Sequence, residues 1–266
     1  MRFSWSKLSR SPANILANWP RSLCQLEGLA FARQYSAENL LELCHWAGLS
    51  APRTLRQHGI SYRAIQRLAV WAAADRHNAA YHQSGHIAHV IVAAGLLAAA
   101  DGLSQADRDI VIVAALVHDL DHMGRHRPRQ PFHMELWSAQ IAVAHLSRYG
   151  SDARVGVRLT DLLAATSFTA DPMRDGILAA DPLAAYLVDA DLFASLFYGV
   201  THARKLSALI KFEDRDPAPI SQILKRFVTI ARAHGFHTDA AADLHARLGA
   251  SRTVLGLDKA PGQGAG

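Results

Sequence analysis

The chain has almost no cysteine: Cys24 and Cys44 are the only two in 266 residues. Each lies among apolar residues, with no second cysteine two or three positions away. That excludes a disulfide framework and a zinc knuckle, and it points to reduced thiols in a reducing, cytoplasmic setting. Long hydrophobic runs are missing too. The longest, Val90–Ala100 and Ile110–Val117, are too short to span a bilayer and are flanked by histidine or carboxylate. The N-terminal stretch carries Arg2, Lys7 and Arg10 but no continuous apolar segment, so a signal peptide is not expected. Alternating β-branched runs are scarce, and no repeat recurs at a fixed period. Basic residues are scattered rather than interleaved with aromatics, which argues against nucleic acid as a partner; nothing calls for a membrane.

Half of the residues are apolar, enough to bury one sizeable core. The formal net charge of +5 suits an anionic small-molecule ligand. Fifteen histidines are many for this length and are a first hint of metal or proton chemistry. Helix punctuation is frequent. Ser36 precedes an apolar-periodic stretch that ends near Gly48, and Ser61 opens another with Ile65, Leu68 and Ala72 on one face. Ser104 and Asp107 resemble a capping box, opening a helix expected to run through His118 to about His122, where Gly124 stops it. Ser151 is the expected cap of the segment with Leu159, Leu162 and Leu163. Pro182 suits the first turn of a helix through Leu187 and Asp191. Pro217 and Pro219 precede a further helix, and Thr238 caps a last short one. The expectation is an all-α, single multi-helix domain over residues 36–250. An irregular extension with short helical pieces, 1–35, would precede it, and a disordered tail, 251–266, would follow.

Four segments carry chemistry. In Tyr81-His82-Gln83-Ser84-Gly85-His86 the two histidines share a face if the stretch opens a helix. In His118-Asp119-Leu120-Asp121-His122, Asp119 lies about 100° around the helix from His118, so a metal against that seam could take both. Glu135 falls on the next helix, and Asp191 sits within an apolar run. Ionised carboxylates in such surroundings need a cation or donors. Imidazole with carboxylate suits Zn, Fe or Mn; further carboxylate and water suit Mg or Mn. Taken singly, these residues have plainer readings: a polar helix end for His118-Asp119, core or surface histidines for His82 and His86, and a capping carboxylate for Asp191, with Asp189 a near-equal competitor. The set together is more specific than any member.

The set resembles the HD-domain metal-dependent phosphohydrolases, and most of all the catalytic domain of class I 3′,5′-cyclic nucleotide phosphodiesterases. AYHQSGHIAHV is similar to that family's Tyr-His-Asn segment, ALVHDLDHMG to its HDxDHxG segment, and Ala190-Asp191-Leu192 to its Ala-Asp-Leu segment. The resemblance covers about residues 50–200. It implies a compact helical bundle with two divalent ions. His86, His118, Asp119 and Asp191 would hold the tighter metal (Zn, Mn or Fe), and Asp119 would bridge to a second ion (Mg or Mn). A metal-activated hydroxide would attack, with His82 as general acid; His122 and Glu135 would orient water, joined by Thr166. Tyr81 and Gln222 complete the implied substrate contacts, Gln222 as candidate reader of a base. The implied partner is a phosphate ester or cyclic nucleotide; a homodimer is compatible with this.

The sequence departs from the family pattern in places. Gln83 replaces an Asn, His89 an Asp, and Phe193-Ala194 a Ser-Asn; Ser167 stands where a carboxylate is expected after Thr166. Arg125, Arg127 and Arg129 crowd the loop after the HD motif and could meet a phosphate or simply be solvated. Three alternatives stay open: a nucleotide phosphomonoesterase or triphosphohydrolase, a di-iron HD oxygenase using His89 or His126, and a non-catalytic nucleotide-binding module.

Overall fold

The computed structural model describes residues 11–26, 35–74, 77, 79–126, 130–167, 171–196 and 199–248. The elements in order are α1 (Pro12–Ala17), α2 (Leu23–Leu26), α3 (Ala37–Ala47), α4 (Pro52–Gln57), α5 (Tyr62–Ala73), α6 (Ser84–Ala100) and α7 (Gln105–Val117). There follow α8 (His133–Arg148), α9 (Ala153–Ala165), α10 (Pro172–Ala180), α11 (Pro182–Leu196), α12 (Gly199–Asp214), α13 (Ile220–His234) and α14 (Asp239–Ala246). Among the described residues there is no strand, so the all-α expectation holds. None of these helices is long and apolar enough to cross a membrane.

The organising element is α6. It carries no Asp, Glu, Lys or Arg and is apolar on every side, so it must be covered all round. Every residue from Ser84 to Ala98 is buried, and α11, α7 and α3 pack around it. The approach of α3 is close. A Cβ built on Gly95 would lie 2.6 Å from Ala47 Cβ and 2.8 Å from Ala47 Cα. Gly95→Val is therefore expected to force the two helices apart at a cost of about 1–3 kcal/mol. The check is a lower urea midpoint with an unchanged slope.

Most helix starts agree with the sequence. Ser36 Oγ accepts from Asn39 N (3.2 Å), Ser104 Oγ from Asp107 N (3.2 Å) and Thr238 Oγ1 from Ala241 N (3.2 Å). Gly48, at φ 112°, ends α3 in the left-handed region where glycine is favoured. Three expectations need correction. The cap of α9 is Asp152, which accepts from Arg154 N (2.8 Å), while Ser151 Oγ instead accepts from Ser61 N (3.0 Å). The helix opened by Ser104 stops at Val117 rather than near His122, because Asp121 turns left-handed at φ 57° and throws the HD motif into a turn. His82 precedes α6, which begins at Ser84, so the His82/His86 spacing is not helical.

Residues 11–26 contribute to the main core. Ile15, Trp19, Leu23 and Leu26 are buried in it, and Trp19 Nε1 donates to Leu244 O at 2.8 Å. Burial pushes the Cys44 thiol up to about 12, as suits an inert core residue. The side chain of Cys24 and the predicted tail from residue 251 lie outside the described residues. A smaller cluster, separate from the main one, sits under α12 and α13: Leu192, Ala203, Leu224, Val228 and Ala231.

Two buried carboxylates are satisfied by donors alone. Asp109 accepts from Ser50 N (2.8 Å) and Gln105 Nε2 (3.1 Å) and pairs with His58 Nδ1 (2.7 Å). Asp189 accepts from His237 N (3.0 Å), Thr238 N (2.7 Å) and Thr238 Oγ1 (2.7 Å), tying α11 to the start of α14. Burial raises its pKa, against those hydrogen bonds. The competition between Asp189 and Asp191 is thus decided by their neighbours: Asp189 is an anchor for a loop.

Candidate metal centre

Asp119 and Asp191 are handled differently from those anchors: their oxygens face two imidazoles. His86 comes from the first turn of α6, His118 caps the end of α7, Asp119 follows it, and Asp191 projects from the middle of α11. His86 Nε2 lies 3.3 Å from Asp119 Oδ2 and 3.1 Å from Asp191 Oδ1. His118 Nε2 lies 3.1 Å from Asp119 Oδ2 and 3.9 Å from Asp191 Oδ1. The two Nε2 atoms are 3.2 Å apart. His118 Nδ1 donates to Ala115 O at 2.9 Å, which keeps its Nε2 lone pair directed at the group. Ligands at about 2.1 Å from one ion are themselves separated by about 3.0–3.4 Å, so the spacings of His86, His118 and Asp191 approach those of a shared cation, with Asp119 beside the two imidazoles. The ligand atoms of His86, His118 and Asp191 all lie within 4.8 Å of one another.

The electrostatics agree. Burial disfavours a charged His86, yet the Asp119 and Asp191 carboxylates outweigh it and push the ring up to about 10. His118 is raised by Asp119 and Asp191 against the same burial penalty. Burial works to raise Asp119, but His118 and His82 hold it well below the usual carboxylate range. In the metal-free chain, protons and a cation compete for the same nitrogens.

A second constellation borders the first. His82 Nδ1 lies 2.5 Å from Glu213 Oε1, and Glu213 Oε2 accepts from the backbone of Tyr81 (2.7 Å) and His82 (3.1 Å). Burial raises Glu213, but these contacts more than offset it and hold the carboxyl at about 2. The His82 and His122 rings stack at 3.6 Å with 19° between planes. His122 Nδ1 accepts from Gly124 N at 3.0 Å. The ligand atoms of His82, His122 and Glu213 also lie within 4.8 Å of one another. However, both Nδ1 atoms are engaged and the rings lie face to face, which suits a hydrogen-bonded acid better than a cage for an ion. Tyr81 packs against both sites, 4.7 Å from the His82 ring and 4.6 Å from the His86 ring.

The site opens on a cleft between these elements. Every predicted site residue lines it except His118 and Gln222. His118 is buried behind the cleft surface, at 2% exposure. Gln222 is a correction: it is exposed in the first turn of α13, because the buried face of that helix begins with Ile223 and Leu224. From α13 it is Phe227 that reaches the cleft. Burial raises Glu135, aided by Asp119 and Asp191, and Ser167, which replaces the expected carboxylate, hydrogen-bonds to it. Thr166 caps the end of α9, its Oγ1 donating to Leu163 O at 2.8 Å. Arg127, Arg129 and the side chain of Arg125 lie outside the described residues.

Glu213 and Phe227 escaped sequence reasoning. Glu213 is far from His82 in the chain and belongs to no motif. Phe227 carried a usable signal, since it adjoins the buried stripe of an amphipathic helix, Leu224, Val228 and Ala231.

No family model matches the sequence, and no curated protein matches it. Among solved structures, the chain is similar to the phosphodiesterase domain of the RhoPDE fusion protein from the choanoflagellate Salpingoeca rosetta. The TM-score is 0.50 at 13% identity, over 82% of this chain and 84% of that one, a likeness of fold. The chain thus has an all-helical, phosphodiesterase-like fold, with a buried His/Asp group able to hold a metal.

Proposed function

We propose that the protein is a metal-dependent phosphohydrolase acting on a phosphodiester, with a 3′,5′-cyclic nucleotide as the first candidate substrate. The observation that carries this reading is the group of His86, His118 and Asp191, their ligand atoms within 4.8 Å of one another, with Asp119 against both imidazoles at the edge of a cleft. The shared fold with a phosphodiesterase domain supports it. The four side chains would hold the tighter ion, Zn, Mn or Fe, with Asp119 shared with a second, Mg or Mn. Bound divalent ions would supply Lewis acidity, lowering the pKa of water and neutralising phosphoryl oxygens.

The remaining chemistry belongs to side chains. His82 is the general acid: Glu213 occupies its Nδ1, so Nε2 is the atom that gives a proton to the leaving oxygen. Glu213, held anionic by its neighbours, fixes the orientation of the ring through Nδ1. His122, stacked on His82, and Glu135, hydrogen-bonded to Ser167, face the cleft as groups that orient water. Tyr81 fixes the ring planes of His82 and His86. Thr166 and Phe227 would meet the organic part of the ester.

Elemental analysis of the purified protein, paired with a panel of cAMP, cGMP, bis(4-nitrophenyl) phosphate, a nucleoside monophosphate and a triphosphate, tests the reading. Turnover of the diesters with metal bound is expected. Turnover of the monoester or triphosphate alone would shift the substrate class. Absence of any turnover with Zn, Mn, Fe or Mg would sink the proposal.

A further inference from the structure

The turn that joins Asp119 to His122 is held by a residue the chemistry above does not use. Asp121 has φ 57°, a left-handed conformation that costs an ordinary side chain about 1–2 kcal/mol and that Asp and Asn tolerate best. Beyond the end of α7 at Val117, this conformation turns the chain so that His122 lies flat on His82. The Asp121 carboxylate has one long hydrogen bond and one half-exposed neighbour that pairs with it ionically when its ring is protonated. Trp137 Nε1 donates to Oδ2 at 3.4 Å, and His77 Nε2 lies 3.3 Å from Oδ1. One residue further along α8, Ser138 Oγ donates to Leu120 O at 2.9 Å. Consecutive residues of α8 therefore clamp consecutive residues of the turn, and the same helix delivers Glu135 to the cleft. Asp121 also borders a small second hollow that shares His82, Asp119 and His122 with the main cleft. Backbone hydrogen bonds from Leu120 N to Val117 O and from His122 N to Asp119 O complete the turn, and α8 braces it from outside.

We infer that Asp121 is a positioning residue: its grip by Trp137 and His77 sets the height of His122 against His82 and hence the aim of the acid. The inference rests on the hydrolytic reading of the cleft, so its test includes one readout that needs no turnover. A misplacement of about 1 Å can cost about 100-fold in rate. Asp121→Ala and Asp121→Gly are both expected to lower kcat by about that much while KM stays within about 2-fold and bound metal is unchanged. Gly relieves the backbone but cannot be gripped, so wild-type kcat in Asp121→Gly would overturn the inference. Asp121→Asn, which keeps the acceptor and the left-handed preference, should rescue most of the loss. Failure of that rescue would overturn the inference as well. Trp137→Phe removes one donor without emptying the site and should lower kcat in the same direction; an unchanged kcat there counts against the clamp. The independent readout is ¹⁵N NMR of histidine-labelled full chain. His122 should report an unprotonated Nδ1 in the wild type, and that signal should change in Asp121→Ala and return in Asp121→Asn. If the NMR behaves so in a protein that hydrolyses nothing, the clamp stands and the hydrolytic reading falls. If the His122 signals are the same in Asp121→Ala as in the wild type, the clamp itself is refuted.

Discussion

Asp119→Ala is expected to lose the tight metal and to lower kcat/KM for a phosphodiester by at least about 10³-fold. The carboxylate is the one group within 3.3 Å of both imidazole Nε2 atoms, at 3.3 Å from His86 and 3.1 Å from His118. Its removal takes a charged donor out of the set and uncovers two rings whose protonation it supports. Lewis-acid stabilisation of the transition state is worth several kcal/mol, and about 1.4 kcal/mol corresponds to tenfold in rate. Metal content by elemental analysis and kcat/KM on the same sample check the two halves together. Full metal occupancy with normal kinetics in Asp119→Ala would remove the site assignment. The pH dependence follows from the same contacts. Both His86 and His118 are drawn toward protonation by the two carboxylates when no cation is present. Metal affinity should therefore weaken steadily as the pH falls, each step exchanging an ion for protons.

His82→Ala carries the second large effect, about 10²–10⁴-fold in kcat with metal content retained. The dependence on leaving group is diagnostic. An alkoxide leaving from a ribose needs a proton, whereas 4-nitrophenolate leaves without one, so the variant should lose far less activity on bis(4-nitrophenyl) phosphate. Equal losses on both substrates would assign His82 to something other than proton donation. Glu213→Gln removes the anion that holds the same ring at Nδ1 and should lower kcat in the same direction, with metal content retained.

The candidate metal group was legible in the sequence because charge in an apolar run is costly and demands an explanation. Asp119 after Ile110–Val117 and Asp191 within its helix stood out for that reason, and the structure places them 3.1–3.3 Å from His86. Helix starts were legible where a hydroxyl or carboxylate reads the first turn locally, as at Ser36, Ser104 and Thr238. What the sequence hid depended on conformation or on distance. Nothing in His118–His122 announces that Asp121 will turn left-handed, so the helix was extended one turn too far. The partner of His82 is a single glutamate at the far end of α12, and no spacing rule connects them. Gln222 was chosen by residue type, but the phase of α13 turns it to solvent and brings Phe227 inward.

The two walls of the cleft stand on unequal foundations. His86, His118 and Asp191 grow from α6, α7 and α11, whose apolar residues are knit into the large core. Glu213 and Phe227 ride on α12 and α13, which pack on a smaller cluster shared with Leu192 of α11. Among the described residues that cluster is separate from the large core, so movement of α12 and α13 is expected to leave the packing of α6 intact. On the proposed chemistry, the side that carries His86, His118 and Asp191 would keep its place while the side that carries Glu213 and Phe227 yields, which would give a spent product a way out.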